Sequence, residues 1–262
     1  MIGEHVLAGY TTGPGAREAL ALARGIAALS GGRLTVATVH PPGRPAAAGE
    51  ALTLLEQAAA EAPEAETAVQ ESRGVGRGLS VLASRIGADL IVVGSTEGGA
   101  RGRIAVGSTA DNLLHSAPEA VMIAPAGHEP AERPGRITVA YVRRPQCDEA
   151  VVRAALVAAR LEVPLRLLTL AVGDDSRHRL RDDLALAVRL AAETSGLEAE
   201  AELAEGDDVA DAVARTGWSE GELLVCASSE DASAHRVFLG EMALKVLRAA
   251  PCPVTVLPRG YS

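Results

Sequence analysis

Short apolar runs alternate with longer amphipathic stretches along the whole chain. In the first half the runs HVLAGY, RLTVATV and LIVVG are dense in Val, Leu and Ile. They predict strands over 5–10, 33–39, 65–70, 89–94 and 120–124. Behind the Gly13-Pro14 turn, Ala19, Leu22, Ala23 and Ile26 recur at helical spacing. A helix is predicted over 15–29, with further helices over 48–62, 77–86 and 108–116. In the second half strands are expected over 136–142, 165–171, 199–204, 222–227 and 253–257, and a helix with a charged outer face over 182–196. Strands and helices in alternation imply a parallel sheet covered by helices on both faces, and an uninterrupted run such as LIVVG suits a strand buried on both sides.

The pattern occurs twice. ADLIVVGSTEGG (88–99) resembles GELLVCASSED (221–231), which sets Gly94 against Cys226. LLHSAPEAVMIAP (113–125) resembles VLRAAPCPVTVLP (246–258), and RLTVATV (33–39) resembles RLLTLAV (166–172). Matching segments in one order point to an internal duplication. The stretch PAGHEPAERPG (125–135) between the copies has the Pro, Gly and charge of a linker. The sequence therefore divides into units at 1–128 and 136–262.

Composition narrows the function classes. Of 262 residues 48% are hydrophobic, yet only 2% are aromatic, too few rings for a base-stacking platform. The net charge is −9. Nine arginines face thirteen acids in residues 1–130, and sixteen basic residues face twenty-one acids in the remainder. Neither half is basic, so nucleic acid is not an expected partner. Cys147, Cys226 and Cys252 are widely separated, as in reduced buried thiols rather than a disulfide framework or zinc site. With neither a basic, apolar leader nor a membrane-length apolar run, the expected location is the cytoplasm.

The segment GARGRIAVGST (99–109) comes within one residue of a Walker A loop, but Ser108 stands where Lys is required. The chain's single lysine is Lys245, so the first half has none to supply. Two readings of the segment stand. Ser108 and Thr109 can simply cap a helix. Alternatively, Gly94 ends a strand at the carboxyl edge of the sheet, and Gly107, Ser108 and Thr109 offer an anion their free amides and the positive end of a helix dipole. Arg101 and Arg103 are then candidate charge partners.

With these residues in place, the chain resembles the universal stress protein family in its tandem two-domain form. The resemblance spans essentially the whole sequence. It is carried by Gly94 and Gly107-Ser108 at the spacing that wraps ATP phosphates in nucleotide-binding members. VLAGYTTGPGAREAL, EGDDVADAVA (205–214) and APCPVTVLP (250–258) support it. It implies an α/β fold of two tandem five-stranded open parallel-sheet (Rossmann-like) domains, paired through their last strands as a pseudo-dimer within the chain, with a homodimer as a further expectation. It also implies an adenine nucleotide (ATP, AMP or cyclic AMP) in the first domain, held by Thr11, Val39, Gly94, Ser95, Thr96, Gly98, Arg101, Arg103, Gly107, Ser108 and Thr109.

The sequence departs from the family pattern in three ways. Glu97 replaces the second glycine of the motif, with Gly98 beside it. Thr11 stands where the family commonly carries an Asp that contacts the nucleoside. The second copy has Cys226 for Gly94 and Glu241 for Ser108, its loop reads one residue longer, and Val142 or Arg143 stands at the Asp position. The second copy is therefore expected not to hold a nucleotide through this loop.

Other signals lead nowhere. Gly74-Val-Gly76-Arg-Gly78 lacks the dinucleotide fingerprint order and reads as a flexible helix start. His40 reads as a solvated loop residue, and His235 with Glu230 and Asp231 makes no convincing metal site. Ser95, Ser228 and Ser229 lack a nucleophile elbow, while Cys226 and Cys252 read as interior fillers. The leading expectation is a non-catalytic stress-response binding module. A slow ATPase relying on Glu97 and a purely structural interaction protein are the alternatives.

Overall fold

A computed structural model of the chain describes residues 2–13, 15–98, 100–173 and 176–260. The first half runs β1 (His5–Gly9), α1 (Ala16–Ser30), β2 (Arg33–His40), α2 (Pro45–Glu61), β3 (Glu66–Glu71), α3 (Val75–Ile86), β4 (Leu90–Gly94), α4 (Ser108–Ser116) and β5 (Ala120–Ala124). The second half repeats the order: β6 (Arg136–Ala140), α5 (Pro145–Leu161), β7 (Leu165–Val172), α6 (Arg177–Ser195), β8 (Glu200–Gly206), α7 (Val209–Arg215), β9 (Glu222–Ala227), α8 (Glu241–Ala249) and β10 (Val254–Leu257).

The α/β architecture is the one expected. Its strands form one ten-stranded sheet in the order β3-β2-β1-β4-β5-β10-β9-β6-β7-β8. Neighbours within each half are parallel. At the centre β5 and β10 run antiparallel, with Met122 opposite Thr255.

Two-sided burial follows from period-two alternation. In β4, Leu90 and Val92 join the cluster beneath α1 and α2, whereas Ile91 and Val93 join the cluster beneath α3 and α4. Ala19, Ala23 and Ala27 are buried on α1, and such small side chains let a helix lie close on the sheet.

Two helices begin earlier than their apolar periodicity indicated. Pro45 takes the first turn of α2, where its missing N–H costs nothing. The run Gly74–Gly78 is the cap and packed first turn of α3 rather than a flexible start, with Gly74 extended and exposed and the helix beginning at Val75. Gly76 and Gly78 are buried on α3, and a Cβ on Gly76 would lie 2.8 Å from Asn112 Oδ1 on α4. The glycines are there for close packing.

At the amino ends of β6, β7 and β9 lies a buried ionic cluster. Arg166 is 0% exposed and Glu222 1%. Arg166 Nη2 is 2.5 Å from Glu222 Oε1 and Nη1 is 2.6 Å from Glu202. Arg136, Thr138 and the Ser219 N–H also donate to Glu222. Burial pushes the Glu222 carboxyl up, but these hydrogen bonds and the Arg166 charge outweigh it and hold it below the usual range.

Candidate functional site

The turns after β1 and β4 meet at the carboxyl edge of the first half. Strand order reverses direction there, since β1 lies between β2 and β4, and clefts form at such switch points. The cleft encloses about 120 Å³. Thr11, Gly13 and Gly15 form one wall, and Gly94, Ser95 and Thr96 the second. Gly107, Ser108 and Thr109, where α4 begins, close the third side.

Glycine is required at the base of this cleft. A Cβ on Gly15 would sit 2.3 Å from Ser95 O, and one on Gly94 would sit 1.9 Å from Gly15 O. The two backbones touch, which draws the start of α1 against the end of β4. Gly107 is needed too, since its Cβ would come within 2.8 Å of Thr96 Cβ.

The helix-cap reading of Ser108 and Thr109 does not hold. Gly107 is the capping residue of α4 and no side chain caps the helix. Ser108 and Thr109 occupy the first two helical positions. The first intrahelical bond runs from Asp111 N–H to Gly107 O, so the amides of Ser108, Thr109 and Ala110 are left to face the cleft. α1 likewise has no side-chain cap at Gly15. No charged side chain lines the cleft among the described residues.

The remaining candidates divide between the cleft and its surroundings. Ser95 is buried and its hydroxyl accepts from Ala105 N–H at 2.8 Å, which folds the loop back on itself. Thr11 Oγ1 accepts from Gly13 N–H at 3.3 Å. Val39 packs against Gly78 of α3 and is not part of the cleft wall. Gly98 holds a left-handed turn at φ +89°. Arg101 pairs with Glu129 at the surface, 2.9 Å away. Arg103 Nη1 donates to Ala249 O of the second half at 2.5 Å. Neither arginine lines the cleft. Gly13, expected only as part of a turn, and Gly15, which had no expected role, also line the cleft; the signal was the glycine pair around Pro14.

Among the described residues no three His, Cys, Asp or Glu side chains group as metal ligands, and no helix is long and apolar enough to cross a membrane. The three cysteines are free and buried. Burial raises all three thiols, Cys226 to about 12, as suits unreactive filler.

The profile of the Universal stress protein family matches residues 3–125 and again 134–258. The chain belongs to the universal stress protein family. Universal stress proteins of Mycobacterium bovis and Mycobacterium tuberculosis are each 32% identical to it over 295 aligned positions, covering 97% of this chain and 99% of theirs. Among solved structures, a universal stress protein from Archaeoglobus fulgidus superposes with a TM-score of 0.72 at 18% identity, covering 99% of this chain and 100% of that one. A functionally unknown protein from Pseudomonas aeruginosa gives 0.65 at 16% identity, covering 97% and 92%.

The two halves of this universal stress protein can be aligned through equivalent hydrogen bonds. Ser95 N–H donates to Ala124 O, and Ser228 N–H donates to Leu257 O. Ala105 N–H donates to Ser95 Oγ, and Phe238 N–H to Ser228 Oγ. Gly94 therefore corresponds to Ala227, and Cys226 to Val93. The pairing of Gly94 with Cys226 read from the sequence is one residue out of register, and the second loop is not longer than the first: Gly107 corresponds to Gly240. Similarly, Tyr10 N–H donates to Ala37 O and Tyr141 N–H to Leu168 O, which sets Val142 at Thr11, Arg144 at Gly13 and Gln146 at Gly15.

The second half lacks the glycine contact, because its two positions carry Gln146 and Ala227. In place of Gly13 and Glu97 it has Arg144 and Glu230, ion-paired at 2.8 Å between the two turns. Glu97 in the first half is exposed.

Proposed function

We propose that this universal stress protein is a stress-response binding module of the cytoplasm, whose first unit (1–128) takes an adenine nucleotide and whose second (136–262) does not. The observation that carries the reading is the cleft of the first half, where the Gly15–Gly94 contact and the uncapped amides of α4 form an anion cradle. The same elements in the second half are spanned by Arg144 and Glu230. The pairing of β5 with β10 supports the two units acting as a pseudo-dimer within one chain.

Binding rather than catalysis is favoured because the described lining offers hydroxyls and amides but no carboxylate or imidazole to act as a base. With no cation in the cleft, the ligand with the least phosphate charge fits best. AMP and cyclic AMP should bind more tightly than ATP, and added magnesium should narrow the gap by neutralising the triphosphate. Isothermal calorimetry with ATP, ADP, AMP and cyclic AMP, with and without magnesium, tests this. The expected result is one nucleotide per chain, lost in Gly107→Glu, whose carboxylate would occupy the cradle. No heat with any nucleotide would overturn the proposal.

A further inference from the structure

The loop that follows β9 keeps the length and internal hydrogen bonds of the cradle loop in the first half, yet its outer side is committed to a different contact. Val237 N–H donates to Ala117 O at 2.8 Å and Leu239 N–H to Leu114 O at 2.9 Å. Arg236 Nη1 donates to Ser116 O at 2.9 Å. The Phe238 and His115 rings pack in a T-shaped arrangement with centroids 5.3 Å apart. All four partners lie in the last turn of α4 or just beyond it. Helix carbonyls there have no partner within the helix, and a guanidinium is favoured at that end of the dipole.

The contact is unequal between the halves. Arg103 is the counterpart of Arg236, and Ala249 the counterpart of Ser116. Among the described residues, the Arg103–Ala249 bond is the one hydrogen bond from the first loop to the second half. The second loop thus grips α4 by three hydrogen bonds and a ring contact, while α8 is gripped by one.

We infer that residues 228–239 form a strap in the service of the other half: they fix the carboxyl end of α4 and so aim the amides at its amino end. Arg236 and Phe238 are positioning residues on this reading. Helix α4 has nine residues, about 13 Å of rise. A helix this short moves as one body, so loosening one end displaces the other. The strap's effect on ligand rests on the nucleotide reading above; its effect on α4 does not.

Amide hydrogen exchange over residues 108–117 and nucleotide calorimetry, applied together to the full chain, separate the two. The variants are Arg236→Ala, Phe238→Ala and Arg236→Lys, all at solvent-accessible positions. Both alanine variants should speed exchange across α4 while β1 and β4 stay protected. They should also weaken AMP by at least about fivefold, the lower end of coupling between sites. Arg236→Lys, which keeps a cation and a donor, should recover most of both effects. Unchanged exchange in α4 would overturn the strap. Faster exchange with unchanged affinity would overturn its role in aiming the amides. If the wild type binds no nucleotide, the functional proposal falls and the exchange result alone decides the strap.

Discussion

Substituting Gly94 with alanine tests the central contact of the cleft. The new Cβ would lie 1.9 Å from Gly15 O, 2.4 Å from Gly15 C and 2.6 Å from Gly15 Cα. Every one of those atoms is backbone, so no side chain can rotate away. Reaching even a crowded 3.0 Å requires the turn before α1 and the end of β4 to separate by about 1.1 Å. Overpacking against an immovable neighbour costs about 3 kcal/mol, the upper end for one added methyl. With an unfolding entropy of about 0.55 kcal/mol/K for 262 residues, that lowers Tm by about 5 °C. Scanning calorimetry reads the shift, and nucleotide titration should show affinity lost with it. Gly49→Ala is the control. Gly49 lies within α2 with open space around it, so alanine should stabilise by about 0.5–1 kcal/mol. If Gly94→Ala melts within a degree of wild type, the glycine contact is not what shapes the cleft.

Two further outcomes follow from the buried charges. Arg166→Met leaves Glu222 buried with Arg136 as its remaining cation and should cost about 3 kcal/mol, the lower end for breaking a buried pair; a urea midpoint equal to wild type would refute this. His5 sits 2.8 Å from Thr35 Oγ1 and 3.1 Å from the Arg33 guanidinium. Burial first, then the Arg33 charge, hold its pKa below the ordinary 6.5, and burial does the same to His128. Below about pH 6.5 the unfolded chain takes up protons that the folded chain refuses, so stability present above that pH is lost as pH falls toward the folded values. Urea unfolding from pH 7 to 5.5 should show this decline and His5→Gln should flatten it; an unaltered slope would assign the decline elsewhere.

Much of the architecture was legible in the sequence because it rests on local pattern. The run LIVVG is a central strand since alternate residues feed two different cores, and α1 follows Ala19, Leu22 and Ala23 within a residue of its predicted span. The register between the copies was legible only in part: LLHSAPEAVMIAP and VLRAAPCPVTVLP set Ala124 at Leu257, as their equivalent hydrogen bonds do, but the strand before the loop was read one residue out. Aligning Val93 with Val225 matches side chains, whereas the ladder is set by backbone hydrogen bonds that place Val93 at Cys226. The site was half legible. Gly94 and Gly107 could be found by spacing, and Gly15 was visible but had no assigned role, because its partner lies some 80 residues away and only folding brings them together. Arg103 was expected beside a phosphate, whereas its Nη1 donates to Ala249 O in the other half of the sheet. No property of the GARGRIAVGST segment reveals that.

The ten-stranded sheet has two free margins, β3 and β8. A bare margin is a template for further strands, and a chain with two of them could in principle polymerise. Here each margin carries glutamates, Glu66 and Glu71 on β3 and Glu200, Glu202 and Glu205 on β8. On β8 arginines hold these acids, Arg136 at Glu200, Arg166 at Glu202 and Arg177 at Glu205, whereas Glu66 and Glu71 on β3 stand exposed. Two β3 margins brought together would set like charges side by side, so charge works against growth of the sheet at that margin, while the β8 acids are spent on holding their own half together.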